Sequence, residues 1–355
     1  MIQRNSNLYL LSNDMALGFY DADGGVLMNT TFRNNSVLKN TLGFQVIYFV
    51  GQSLSKLESV QKFATKFGGN VPNRECRMNQ SSPAGQRFRQ FLLENNPKHP
   101  DRRRDFLLSE EVIPFLNRKL TTAQQVKVAY LVSQKSVLLN QKTSEEYFSK
   151  CCLHLGATND EIQEGLVAAN QIMEVINKNL EIYNEQLPTM ELSADYVYGA
   201  HVGDGSFYVA LSWKPTEKSH RLRCEPEWAI CGYKKAYCEA FAKKYGGVTK
   251  KVDARGQIKF VVSGIQKCLA IVDFFENVPW LPAYKQDQFD RWKQSFILLK
   301  NQEHFSEEGI VRFLDLTYGL AEKGSRKYPK EQYLEWGLLW LNSPSRQKRA
   351  PRFKM

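Results

Sequence analysis

Two aspartates stand apart by their surroundings. Asp23 is followed by Gly24 with Gly18 upstream, and Asp204 is followed by Gly205 with Gly199 upstream at the same spacing. A carboxylate in such a frame is either a turn residue behind a helix or a group held for chemistry. One copy favours the turn, whereas two matched copies favour chemistry. Other reactive types are scattered. The cysteines at positions 76, 151, 152, 224, 231, 238 and 268 form no CxxC pair, and the five histidines do not cluster with them. That argues against a zinc site. The odd cysteine count without a framework predicts reduced thiols in an intracellular compartment.

The charge balance points to a class of partner. Lys and Arg number 48 against 37 Asp and Glu, a net +11 over 355 residues. A polyanion is the natural partner, because neutralising phosphates releases counterions. An apolar content of 43% is enough for a substantial core. No apolar run is long enough to span a membrane, and the first residues, Met1 to Asn7, do not read as a secretory signal.

The frame around the aspartates belongs to a longer repeat. Phe63 to Gly69 (FATKFGG) parallels Phe241 to Gly247 (FAKKYGG). Further on, Pro114-Phe115-Leu116 with Lys119 parallels Pro279-Trp280-Leu281 with Lys285. Three matches in one order predict a duplicated architecture. The interval before the proline block is longer in the first half, which predicts an insertion around Asn79 to Arg104.

Elements must position these residues. Leu8 to Tyr20 carries apolar residues at helical spacing, and Asp23-Gly24-Gly25 marks its end. Leu192 to Val202 is the matching helix. Strands follow: Val26, Met28, Thr30 and Phe32 are expected to face the core, with Leu27, Asn29, Thr31 and Arg33 opposite. Phe207, Val209, Leu211 and Trp213 alternate in the same way. Gly43 to Phe49 and the segment around Leu222 and Cys224 read as partner strands. Helices are expected over 53–67, 123–139, 233–245 and 265–275, with a strand over 257–262. Residues 141–190 read as a helical connection. The expected organisation is a first repeat over 1–140, a linker over 141–190, a second repeat over 191–320 and a basic extension over 321–355.

The segment Ala16 to Gly24 resembles the LAGLIDADG signature of homing endonucleases. It retains Gly18, the Asp21-Ala22-Asp23 run and Gly24. The copy from Val197 to Gly205 retains Gly199, Asp204 and Gly205, with Val202 where the signature has its first aspartate. The resemblance extends over most of both repeats. It implies an α+β fold of two pseudo-symmetric αββαββα repeats forming a saddle-shaped DNA-binding sheet, with the motif helices packed at the centre. It also implies close approach of those helices at Gly18 and Gly199. Asp23 and Asp204 would then hold Mg²⁺ against two scissile phosphates, a site that Mn²⁺ or Ca²⁺ could also occupy.

The same resemblance implies supporting residues. Gln52 matches a glutamine that holds active-site water. Ile230 stands at that offset in the second repeat, with Glu227 as a speculative substitute. Lys119 and Lys285 match a basic residue beside the active site. Asn29, Arg33, Lys214, Arg221, Arg223, Arg255 and Lys259 are candidates for contact with bases or phosphates. The tail cations Arg346, Lys348, Arg349, Arg352 and Lys354 would add nonspecific affinity.

The expected activity is a staggered double-strand break by metal-dependent hydrolysis, promoting intron mobility, by a monomer acting on duplex DNA. Encoding in a chloroplast or mitochondrial genome is implied too, and it fits a chain with no evident transit peptide. The alternatives are an RNA maturase that acts on its host intron and a catalytically silent DNA-binding relative. Retention of both aspartates favours cleavage over either.

Overall fold

Serine starts both motif helices. The computed structural model describes residues 11–34, 40–135, 143–216, 219–232, 234–251, 257–320 and 326–343, with only the backbone described over 214–221. Helix α1 (Asn13–Asp23) begins at Ser12, whose hydroxyl accepts from the Met15 amide at 3.1 Å. Helix α8 (Ala194–Asp204) begins after Ser193, whose hydroxyl accepts from the Tyr196 amide at 3.1 Å. Such caps satisfy amides that a first turn leaves unpaired. The α1 start expected at Leu8 moves to Asn13, since capping overrides the apolar period at Leu11. Residues 8–10 lie outside the described residues.

The chain divides into two compact units. One comprises Leu10–Gly203 with Lys234–Ala240, and the other comprises Asp204–Tyr233 and the described residues from Phe241 on. Both motif helices, up to Gly203, lie in the first unit. They meet backbone to backbone. A Cβ on Gly18 would stand 2.0 Å from the Tyr196 carbonyl oxygen, and one on Gly199 would stand 2.0 Å from that of Met15. Neither position can hold a side chain unless the helices separate.

In the first unit β1 (Gly24–Arg33) and β2 (Thr41–Gly51) run antiparallel, with Gly24 opposite Val50 and Arg33 opposite Thr41. Helix α2 (Leu57–Phe67) follows, stopped by Gly68 in the left-handed conformation. Strand β3 (Glu75–Asn79) pairs with β2. The sheet is packed on one face. Val26, Met28, Val46, Tyr48, Val50, Cys76 and Met78 are buried. Phe88 of α3 (Pro83–Asn95) lies edge-on to Tyr20, Tyr48 and Phe63 at 5.2 to 5.6 Å. The Thr30 and Tyr147 hydroxyls bond on that side too. Leu27, Asn29, Thr31 and Arg33 face away, as their alternation predicts.

Helices α4 (Pro100–Val112) and α5 (Thr122–Ser133) follow, then α6 (Ser144–Leu155) and α7 (Asn159–Gln186). The segment expected as a helical connection thus forms two helices, the first of them packed on the first sheet. Cys151 and Leu155 of α6 are buried with Leu42, Val126 and Ala129.

In the second unit β4 (Gly205–Thr216) and β5 (Ser219–Gly232) pair along their length. Helix α9 (Lys235–Tyr245) follows, then β6 (Val248–Lys251) and β7 (Ile258–Ser263), in the sheet order β4-β5-β7-β6. Phe207 packs on Phe275 of α10 (Ile265–Glu276) at 4.8 Å and on Trp292 of α11 (Ala283–Lys300) at 5.0 Å. Helices α12 (Glu307–Gly319) and α13 (Lys330–Leu341) complete this side, with Trp336 stacked on Trp213 at 5.5 Å.

The αββαββα expectation therefore holds for the second repeat and needs correction in the first. There the sheet has three strands among the described residues. The place of β6 is taken by one bridge, Asn70 to Arg77. The insertion is also more local than expected. Helix α3 follows β3 as α10 follows β7, so α4 is the added element. Among the described residues no helix is long and apolar enough to cross a membrane.

Because each new Cβ would meet rigid carbonyls, Gly18→Ala and Gly199→Ala are each expected to destabilise the protein by about 3 kcal/mol. Urea midpoints would measure this, and unchanged midpoints would show that the helices can part cheaply.

Candidate active site

The first motif's aspartate is engaged by the glutamine that its spacing singles out. Gln52 donates from Nε2 to Asp23 Oδ2. The end of β2 positions it, since the Gln52 amide donates to the Arg74 carbonyl at 3.1 Å. Gly203 closes the other side, where a Cβ would lie 2.7 Å from Asp23 Oδ2 and 2.4 Å from the Ala22 Cβ. Asp204 is the next residue in the chain. Asp23 is half-buried, so its carboxylate keeps access to solvent.

Around the second aspartate the groups differ. Lys285, in the first turn of α11, is 4% exposed and donates from Nζ to the Gly205 carbonyl. The Cys231 thiol is pushed up by burial and further by Asp204, and pulled back by Lys259 and Lys285. These four groups thus share one neighbourhood. Lys119 has no such setting. It is exposed in the turn before α5, ahead of the cap at Thr121, so the two lysines occupy different local structures.

Counting back from Gly246 places Ile230 opposite Gln52, but the ladder does not. Val50 pairs with Gly24, and Ile230 pairs with Gly205. Gln52 follows Val50 by two residues, as Gly232 follows Ile230. The counterpart of Gln52 is therefore Gly232, which has no side chain to hold water. The link from β5 to α9 is shorter than the link from β2 to α2, and that misleads the count. Glu227 is not a substitute either, because it lies five residues back from Gly232 along β5, about 17 Å at strand rise. There it pairs with Lys250 at 3.6 Å and bonds Tyr208, whose hydroxyl is raised first by burial and then by this bond.

The first aspartate of the fuller motif does something else. Asp21 is buried, and its Oδ2 accepts from the Tyr196 hydroxyl and the Lys98 amide, both at 2.7 Å. Burial raises its pKa to about 7, against the pull of Tyr196, the Lys98 and His99 amides and Arg102. It holds the start of α4 onto α8. Arg102 of α4 reaches the Ala22 carbonyl at 3.5 Å, at the C-terminal end of α1, where a cation is favoured. The motif in the second repeat has buried Val202 at the position of Asp21.

Other candidates fall on the sheet faces that carry no helix. Asn29 and Arg33 do so on β1, and Arg33 lies over Gly43. Arg223 is exposed on β5 and pairs with Glu225 at 2.8 Å. Lys259 of β7 donates to the Tyr208 hydroxyl at 2.8 Å. Lys214 and Arg221 are opposite in register, with side chains outside the described residues. Arg255 and the tail cations also lie outside them. Arg77 of β3, on the same face as Phe49 of β2, was not anticipated. A five-residue strand gives too short an alternation to show its faces.

Among the described residues no three His, Cys, Asp or Glu side chains gather as a metal nest. Mg²⁺ keeps several waters and takes further ligands from substrate phosphates, so a single half-buried carboxylate such as Asp23 suits it as a protein ligand.

Comparison with known proteins finds no matching family profile and no matching curated protein. Among solved structures the chain resembles LAGLIDADG homing endonucleases. The I-SmaMI homing endonuclease bound to cleaved DNA matches at TM-score 0.66 and 18% identity, over 89% of this chain and 98% of that one. I-SmaMI bound to an uncleaved DNA target with calcium ions matches at 0.65 and 18%, over 87% and 99%. I-LtrWI bound to target DNA matches at 0.61 and 15%, over 87% and 97%. The chain has the fold of these single-chain, two-repeat proteins.

The raised Asp21 pKa gives a test. The folded state keeps a proton that the unfolded chain releases above pH 4, so this group's stabilisation is full below pH 4 and is lost as pH rises towards 7. The stability difference between wild type and Asp21→Asn is expected to shift across pH 4 to 7 and to stay constant above it. Denaturant titrations at several pH values measure it, and a difference flat throughout would place Asp21 in a more polar setting.

Proposed function

We propose that this chain is a LAGLIDADG-type, site-specific DNA endonuclease. It would make a staggered double-strand break in a long target by metal-dependent phosphodiester hydrolysis and so promote mobility of the intron that encodes it. The observation that carries the reading is the Gly18 and Gly199 helix contact, which brings Gly203 against the Asp23 carboxylate immediately before Asp204. The resemblance to DNA-bound homing endonucleases and the +11 charge support it.

In this reading Asp23 and Asp204 hold divalent cations, with Mg²⁺ preferred. The bound ion lowers the pKa of water and offsets charge on the phosphate. Gln52 fixes the Asp23 carboxylate through its amide and leaves Oε1 to orient the attacking water. Lys285 places its cation beside Asp204, where it steadies developing negative charge. Lys119, exposed before α5, serves a phosphate in the first half. The protein works as a monomer on duplex DNA and is encoded in a chloroplast or mitochondrial genome.

The halves are unequal, so the two strands should be cut at different rates. Glutamine supports Asp23, whereas Gly232 leaves Asp204 to lysine and Cys231. Cleavage of the intronless host gene in Mg²⁺, with each strand of a supercoiled substrate labelled, tests both ideas. Asp23→Asn and Asp204→Asn should each abolish the double-strand break. Gln52→Ala should slow one strand about 10- to 100-fold, as loss of an outer partner does. Lys285→Met should slow the other. Cutting that survives EDTA would remove the metal from the reading, and equal nicking rates would remove the asymmetry. If the DNA stays intact while the intron transcript splices faster, the protein is a maturase instead.

A further inference from the structure

Each sheet carries an arginine and a glutamate two residues apart on the face without helices. On β3 these are Arg77 and Glu75, joined at 2.8 Å, and on β5 they are Arg223 and Glu225, also at 2.8 Å. The arginine side chains are 52% and 54% exposed. Residues two apart share a face of a strand, and Cys76, between the first pair, is buried in the core. The strands are not equivalent in the repeat, since β3 corresponds to β7 and β5 to β2. The arrangement therefore arose twice, in two contexts.

From this geometry we infer that Arg77 and Arg223 read guanine bases, each oriented by its glutamate, and do not anchor phosphates. The inference rests on the DNA-binding part of the proposed function. An exposed ion pair contributes only about 0–1 kcal/mol to folding, so stability does not account for two of them. A carboxylate on a DNA-facing surface repels phosphate and neutralises the cation that would attract it. What it provides is orientation. Arg77 Nε and Nη2 both engage Glu75 Oε2, the contact being side-on to the guanidinium. A side-on contact leaves the Nη1 donors and one Nη2 hydrogen for another acceptor. Two donors in a fixed plane match O6 and N7 of guanine in the major groove. A neutral pair displaces no counterions, so it adds specificity without salt-dependent affinity.

The test uses the full-length protein with Ca²⁺ in place of Mg²⁺, to separate binding from cutting. Duplexes randomised over the whole site are selected for binding, and the affinity for the consensus is followed against salt. The double variants Arg77→Ala/Glu75→Gln and Arg223→Ala/Glu225→Gln, which leave no unpaired charge behind, should each remove a guanine preference at one position. Each should weaken consensus binding about 5- to 150-fold and leave the salt slope unchanged. Glu75→Gln and Glu225→Gln should bind random duplex more tightly, with a steeper slope. If the double variants weaken all duplexes alike and lower the slope by about one, the arginines are phosphate contacts and the inference fails. If a consensus emerges but no variant alters it, the inference fails while the DNA-binding reading stands. If no consensus emerges, both fail.

Discussion

The structure hangs on two glycines. Gly18 and Gly199 let two helices touch at the backbone, and any side chain at either site would collide with a carbonyl oxygen. Such contact leaves little freedom for either helix to slide or rotate on the other, up to its end residue. Asp23 and Asp204 are those end residues, and each strand pair begins at the glycine that follows, Gly24 or Gly205. The two Asp-Gly ends, where helix gives way to strand, thus follow directly on the helices that make this contact. Rigid placement of this kind matters for charge chemistry, because a carboxylate misplaced by an ångström loses much of its effect.

Around this contact the halves diverge, and polar burial is where they do so. Burial disfavours the charged form of Asp21 and lifts its pKa to about 7. Its acceptor bonds to Tyr196 and the Lys98 amide fasten helix α4, an element that the second repeat lacks. Val202 takes the same motif position in the second repeat and is buried as an apolar residue. A motif residue that looks catalytic by its neighbours therefore serves to attach an insertion. The residue two places on, Asp23, carries the half-buried carboxylate that Gln52 engages.

Local patterns in the chain were sufficient for most elements. The alternation Val26, Met28, Thr30 assigns the faces of β1, and Gly68 and Gly246 stop α2 and α9 because glycine tolerates the left-handed conformation. Gln52 was legible from its distance to Gly68, since the segment between them is one uninterrupted turn and helix. The same count failed at Ile230, because the link before α9 is shorter and only hydrogen-bond register shows that Gly232 is the counterpart. The missing strand of the first sheet was equally hidden. Asn70 contributes a single bridge where Val248–Lys251 forms a strand, and residue types alone do not set where pairing stops.

The amino-acid sequence by itself determined the duplication, the helices that end in Asp-Gly, the sheet faces and the cationic character. These rest on periodicity, glycine conformation and charge, which act between residues near in the chain or sum over all of it. Tertiary structure alone decided that Gln52 engages Asp23, that Lys285 is buried against Gly205, and that Asp21 is spent on α4. It also decided that Arg77 and Arg223 are each held by a glutamate. The first three depend on contacts between distant segments, whose energies no local pattern encodes. The arginine pairs depend on which sheet face a packed helix leaves uncovered.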